Sequence, residues 1–248
     1  MFSKIGALVL ALIVVFSITI GVSQVANAGP DEDAMTDLAM GKTAEGLKIL
    51  HSRAETGDVQ AQIWLGEIYR DGQDVSKDYA KSVKWFGVAA KSGNALGQFE
   101  FGEMYFLGEG VTQNHVVALE YYRLAANQGF AKAQVQVGMS YMGDYGEGEA
   151  GFQDYNEAVR WFRLAAEQGD GDGQSLLGSM YEMGQGVPQD YVRAYMWDNL
   201  AASSLKGMNR DSAIEDRDAI AAKMTPAQLE LGQKMAIQCE KANFKNCD

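Results

Sequence analysis

Basic residues are scarce in this 248-residue chain: 21 lysines and arginines stand against 33 acidic residues, a formal net charge of −12. A nucleic-acid surface needs a clustered basic footprint, and anionic lipid attracts the same clusters, so the composition argues against both partners. Histidine is almost missing, with only His51 and His115, and neither lies near the two cysteines, Cys239 and Cys247. No ligand spacing of a structural or catalytic metal site results. Past the first 28 residues there is also no second apolar run of the roughly 20 residues that a bilayer span requires.

That first apolar run, Ile5 to Ile20, follows a single charge at Lys4 and closes on Val25-Ala26-Asn27-Ala28, with small residues at both positions of an A-x-A cleavage pattern. Residues 1–28 therefore read as a bacterial secretory signal peptide cut before Gly29, with an uncleaved anchor as the alternative. The mature product is expected to be periplasmic or secreted and free of the membrane. In an oxidising compartment Cys239 and Cys247, eight positions apart, are candidates for a disulfide that pins the tail. Free thiols, or a redox or metal pair, are the other readings.

What the chain has in abundance is itself. Leu65, Phe101, Val137 and Leu177 are each followed by a glycine (Gly66, Gly102, Gly138, Gly178) and, three residues after it, by a tyrosine (Tyr69, Tyr105, Tyr141, Tyr181). The steps between copies are 36, 36 and 40 residues. Such a period marks a stacked array in which each unit buries its apolar face against its neighbours. In the first half of a copy, Ala61, Leu65, Ile68 and Tyr69 share one helix face. The half begins at Asp58, Asn94 or Asp170, good N-cap residues, although Phe130 breaks that column. The second half opens at Asp78, Asn114, Asp154 and Asp190 and carries an aromatic pair, Trp85-Phe86, Tyr121-Tyr122 and Trp161-Phe162, with Trp197-Asp198 departing from it. It then runs through Ala89-Ala90, Ala125-Ala126, Ala165-Ala166 and Ala201-Ala202 to a closing glycine at 93, 129, 169 or 207, as Gly57 closes the preceding unit. Glycine there suits a left-handed C-cap. The small columns let helices approach while the aromatic columns fill the space beside them.

Copy four, with Leu177-Gly178, Tyr181, Gly184, Gly186-Val187, Asp190-Tyr191, Ala194, Trp197 and Ala201-Ala202, resembles the Sel-1-like repeat (SLR), a relative of the tetratricopeptide repeat. The resemblance implies an all-α fold, an α/α superhelical solenoid of stacked helix-turn-helix repeats. It divides the chain into a signal peptide (1–28), a leader with a short first unit (29–57), four repeats (58–207) and a C-terminal helical cap and tail (208–248), with Pro226 in the first turn of a last helix. Asp74 replaces a turn glycine in copy one, and copy three carries four extra residues between Gly143 and Gly151, a projecting binding loop or a tolerated surface insertion.

No active site assembles. Ser203-Ser204-Leu205-Lys206 fits S-x-x-K and Lys91-Ser92-Gly93 loosely fits K-T-G, but no S-D-N element joins them and both sit on helix ends that the repeat explains. Two acidic groups, Asp170 with Asp172 and Asp144 with Glu147 and Glu149, lack the 12-residue calcium loop with its distal glutamate. No catalytic residue, metal or cofactor is therefore expected.

Charge is more telling. The four first halves with their turns hold 13 acidic and 2 basic residues, whereas the second halves hold 7 and 9. In the family resembled, first helices line the concave surface, so the groove is expected to be acidic. Four units at 8–10 Å helix spacing give a groove about 40 Å long, enough for roughly a dozen extended residues. The function expected is a non-enzymatic adaptor that holds a protein or peptide partner with basic character, contacted by Glu67, Glu100, Glu103 and Glu182. The amide column Gln62, Gln98, Gln134 and Gln174 reads two ways, as a polar ladder for a ligand backbone or as hydrogen bonds between adjacent repeats. Two other functions stay open: an enzyme of the cell wall or a binder of penicillin-like compounds, and a secreted factor acting on a host cell.

Overall fold

A computed structural model describes residues 34, 43–72, 75–143 and 153–247. The proposed signal peptide, Asp74 and the insertion with Asp144, Glu147 and Glu149 lie outside the described residues. Eleven helices and no strand are found among the latter: α1 Thr43–Glu55, α2 Val59–Asp71, α3 Tyr79–Lys91, α4 Ala95–Leu107, α5 His115–Asn127, α6 Ala131–Met142, α7 Tyr155–Ala166, α8 Gly171–Met183, α9 Tyr191–Ser204, α10 Gly207–Ala221 and α11 Pro226–Lys241. The chain forms two compact units, Met1–Lys77 and Asp78–Asp248.

In the first unit α1 packs on α2. Asp58 caps α2, accepting hydrogen bonds from the amides of Gln60 and Ala61 and an ion pair from Arg53. These contacts outweigh the effect of partial burial and hold the Asp58 carboxyl below its ordinary range. In the second unit each helix from α3 to α9 packs on the next, the succession of an α/α solenoid. The caps are those the sequence indicates: Asp78, Asn94, Asn114, Asp154, Asp170 and Asp190 each accept a first-turn amide, while Phe130 has no side-chain cap.

The glycine of the Leu-Gly pair has a steric reason. A Cβ at Gly102 would lie 2.8 Å from the Tyr122 ring, and one at Gly138 would lie 2.5 Å from the Phe162 ring. The Tyr122 and Phe162 rings thus lie against the backbone of the partner helix, and both are fully buried. Successive repeats meet through small residues in the same way, Gly97 against Ala89 and Gly173 against Ala165.

The last repeat ends differently from the expectation. Helix α9 stops at Ser204, and Gly207, with φ 57°, opens α10 rather than closing α9. Leu205 is extended and packs over the backbone of Gly171, which shortens the turn. Helix α10 meets the Ala201-Ala202 side of α9 through Ala213. Helix α11, opened by a Thr225–Gln228 capping box with Pro226 in its first turn, lies along another side of α9. Gly232 of α11 rests on Tyr195 and the carbonyl of Val192, and Ser203 Oγ lies 3.5 Å from Glu240 Oε1. A disulfide joins Cys239 to Cys247, and within the loop it closes Phe244 packs on Gly169, at the turn between α7 and α8.

Candidate partner-binding face

In the second unit the first helices of the repeats are α4, α6 and α8. They carry four acidic residues, Glu100, Glu103, Asp172 and Glu182, and one basic, Lys132. Beside them is a cavity of about 360 Å³, lined by Val135, Gln136 and Met139 of α6, Asp172, Ser175 and Leu176 of α8, and Leu205, Asn209 and Ser212 at the start of the cap. Its wall mixes amide, hydroxyl and carboxylate groups with aliphatic surface. Asn209 closes one edge by donating to Asp172 Oδ1 at 3.4 Å.

The four glutamates of the sequence reading do not form one row. Glu103 is half-buried and fixed: it accepts the Tyr122 hydroxyl at 2.5 Å and the Gln136 amide at 3.5 Å. Glu100 stands one turn earlier on α4, also half-buried. Glu67 belongs to the first unit, at the register position of Glu103. Glu182 is engaged elsewhere, in an ion pair with Lys223 at 2.7 Å that ties α8 to the end of α10.

The glutamine column is interior. All four side chains are buried, and each Nε2 donates to the carbonyl of an alanine eight residues back on the preceding helix: Gln62 to Ala54, Gln98 to Ala90, Gln134 to Ala126 and Gln174 to Ala166, at 3.0–3.5 Å. Gln98 and Gln134 accept from Gln128 and Gln168, and Gln174 accepts from Ser204. Gln98, Gln134 and Gln174 thus use both ends of the amide inside the stack, and all four bond across to the preceding helix. Gln62 Oε1 alone of the four is buried with no acceptor bond.

The catalytic look-alikes are likewise occupied. Ser203 Oγ donates to the Leu200 carbonyl at 2.7 Å and Ser204 Oγ to Gln174, while Lys206 is the residue before α10. No described group of three or more histidine, cysteine or acidic residues is arranged to hold a metal ion. No described helix is long and apolar enough to cross a membrane.

One group was legible only as an irregularity. Asp198 stands where the other repeats have Phe86, Tyr122 and Phe162, its residue 1% exposed and its Oδ1 without a partner. Burial, reinforced by the charges of Asp216 and Glu182, pushes its carboxyl up to about 8. It is therefore largely a neutral acid at pH 7, wedged against the Gly178 backbone.

Helix pairs stacked through small residues define an α-helical repeat protein. The chain belongs to the Sel1 repeat family, whose model matches residues 59–94, 95–130, 131–170 and 171–204. Sel1 repeats generally mediate protein interactions, and proteins built from them are generally non-enzymatic scaffolds. Among solved structures, a Sel1 repeat protein from Oxalobacter formigenes is 32% identical over 68% of this chain and 48% of its own, with a TM-score of 0.59. The protein c5321, a protective antigen present in uropathogenic Escherichia coli strains that displays an SLR fold, is 28% identical over 80% of this chain and 50% of its own, with a TM-score of 0.50. The chain thus spans about half the length of these relatives. No curated protein matches it.

Proposed function

We propose that this chain is a non-enzymatic adaptor that holds a basic segment of a polypeptide partner against the first-helix face of its repeats. The observation that supports this most directly is the sorting of charge within the second unit. Helices α4, α6 and α8 carry four acids and one base, whereas α3, α5 and α7 carry six bases and two acids. Carboxylates at Glu100 and Glu103, the latter bonded to Gln136 of the cavity wall, attract and orient cationic side chains. Glu182 acts as an internal tie, and the glutamine column holds the stack in shape.

Titrating a fluorescent lysine-rich dodecapeptide against the purified protein tests the reading. Affinity should fall at least fivefold between about 50 and 300 mM salt, and again in Glu100→Gln/Glu103→Gln. Equal affinity in all three conditions would sink it. We further infer that the protein works outside the cytoplasm after cleavage before Gly29, a reading with which the Cys239–Cys247 disulfide is compatible. Amino-terminal sequencing of the protein from fractionated cells checks it, and recovery of the uncut chain from the cytoplasm would refute it.

A further inference from the structure

Helix α10 meets the Ala201-Ala202 pair of α9 as the first helix of a repeat meets the Ala-Ala pair before it, but it is held far less firmly. Of its 15 residues only Ala213 and Ile220 are buried, against eight of the 14 in α9, and Lys206 gives its start no side-chain cap. It packs chiefly on α9, where Arg210 reaches the Ala202 carbonyl. Its ties to α8 are polar bonds near its two ends, Asn209 to Asp172 and Lys223 to Glu182. An element with so little buried surface opens before the rest of a fold does.

Beside α10 lies an acid that its surroundings cannot hold as an anion. Asp198 is 1% exposed, its Oδ1 has no partner, and that oxygen is pressed against the Gly178 backbone of α8. The charges around it have the wrong sign. Asp216 of α10 and Glu182 of α8 both act on Asp198, and Asp216, itself pushed up by partial burial, also feels Glu182 and Glu215. Lys223 is paired with Glu182. On α9 Arg193 is paired with Asp190, and of the charged residues of α11 (Glu230, Lys234, Glu240 and Lys241) Glu240 lies at Ser203, more than a turn beyond Asp198. Helix α10 as a whole carries four acids and two bases, so it adds to the repulsion.

We propose that Asp198, Glu182, Asp216 and Lys223 form a proton-dependent latch for α10, seated while Asp198 holds a proton and opened when that proton is lost. An ionised Asp198 enclosed with Glu182 and Asp216 needs water, and water reaches it when α10 lifts from α9. Burial, then Asp216 and Glu182, raise the Asp198 carboxyl to about 8 in the closed form, whereas an opened helix returns it toward 3.8. Closure is therefore firmest in acid, weakens as pH rises above about 4 and levels off above about 8. Leu205, Asn209 and Ser212, in and just before the first two turns of α10, line the cavity of about 360 Å³, so opening the latch removes one of its walls. The latch does not depend on what occupies that cavity, and its test reads α10 alone.

Hydrogen exchange of the full chain, followed by mass spectrometry at about pH 6 and pH 9 and corrected for intrinsic rates, supplies the test. Amides of residues 211–221 should lose at least about tenfold in protection at the higher pH. Their exchange should barely respond to about 1 M urea, as local opening does, whereas exchange through unfolding of α9 should accelerate. In Asp198→Asn, which cannot ionise, α10 protection should change by less than about twofold between the two pH values, and Asp198→Leu gives the same readout if the amide variant does not fold. Asp216→Asn, which removes one of the two charges acting on Asp198, should lose less protection than the parent, because its opening levels off at lower pH. Protection of α10 that is the same at both pH values, or that falls equally in Asp198→Asn, overturns the latch. So does a fall that responds to urea as strongly as exchange in α9, which would assign the pH effect to unfolding of the whole unit.

Discussion

The third and fourth repeats share a framework but differ in what surrounds it. In the third, Phe162 fills the space against Gly138 and Leu164 looks outward. In the fourth, Asp198 takes the place of the ring against Gly178, and Leu200 lies under a core shared with α11. A repeat inside an array is completed by its successor, whereas the last repeat is completed by a cap. The fourth repeat shows two consequences: extra apolar cover, and a buried acid held among Glu182 of α8, Asp216 of α10 and the Lys223 that pairs with Glu182.

The sharpest way to break this comparison is to remove the acid. The folded-state value of Asp198, about 8, lies above the 3.8 of an unperturbed aspartate. Its contribution to stability is therefore fully present below about pH 3.8 and is lost as pH rises through 8, because the folded state resists the ionisation that the unfolded chain undergoes freely. Urea unfolding of the parent should show stability falling between pH 4 and pH 9 by at most about 5 kcal/mol. Asp198→Leu should flatten that decline and raise stability most at the alkaline end. An unchanged pH slope in the variant would move the origin of the decline elsewhere.

Next in size is the steric contrast. Gly138→Ala drives a Cβ into a fully buried ring, and such overpacking should cost about 3 kcal/mol. Gly178→Ala meets a carboxyl oxygen at 2.5 Å, which can rotate away, so a smaller loss of about 1–2 kcal/mol is expected. Denaturant midpoints at constant slope read both. Equal losses would mean that Asp198 is held as rigidly as Phe162.

The cap gives a third contrast. Breaking the Cys239–Cys247 link with Cys247→Ser frees a short loop, worth about 2 kcal/mol on chain entropy. The loss should be local, because Phe244 and Cys247 are only partly buried at the edge of the core they pack against. Limited proteolysis at Lys241 and Lys245 should accelerate severalfold while the main unfolding transition moves little. A full-sized shift of that transition would make the tail part of the cooperative core.

Much of this was open to reading from the sequence, for a physical reason. Caps, closing glycines and the Gly–aromatic pairing are interactions between neighbours in the chain or between equivalent columns, and each repetition doubles as a check on the others. Asp78, Asn114, Asp154 and Asp190 announce themselves by recurring. What recurrence could not show lies where it stops. The departure at Asp198 was visible, but its burial depends on α10, and Glu182 is taken by a lysine 41 residues further on. Helix α11 has no counterpart in the repeats, so nothing in the periodicity placed it along α9. The glutamine column recurs perfectly, yet recurrence alone left open whether it faced a ligand or a neighbouring helix.

That column supplies the finest contrast between the two repeats. Gln134 accepts from the amide of Gln168 at 2.8 Å, while Gln174 accepts from the hydroxyl of Ser204 at 3.2 Å, Ser204 standing in the corresponding place one repeat later. A buried acceptor stripped of its donor costs about 1–3 kcal/mol when it stays dry, but Gln168 and Ser204 are exposed, so water can replace either donor and the cost lies at or below the low end. Gln168→Ala should lower stability by about 1 kcal/mol, since the amide also bonds to the Leu164 carbonyl at 3.0 Å and bridges two helices. Ser204→Ala should lower it by about 0.5 kcal/mol, for the bond is longer and the hydroxyl makes no second bond of the kind Gln168 makes to Leu164. In the double variants Gln134→Leu/Gln168→Ala and Gln174→Leu/Ser204→Ala, the second substitution should add less than it costs alone, the signature of a shared bond. Full additivity in both would show that these amides contribute by filling space, and that the joints between repeats are held by their alanine and glycine contacts alone.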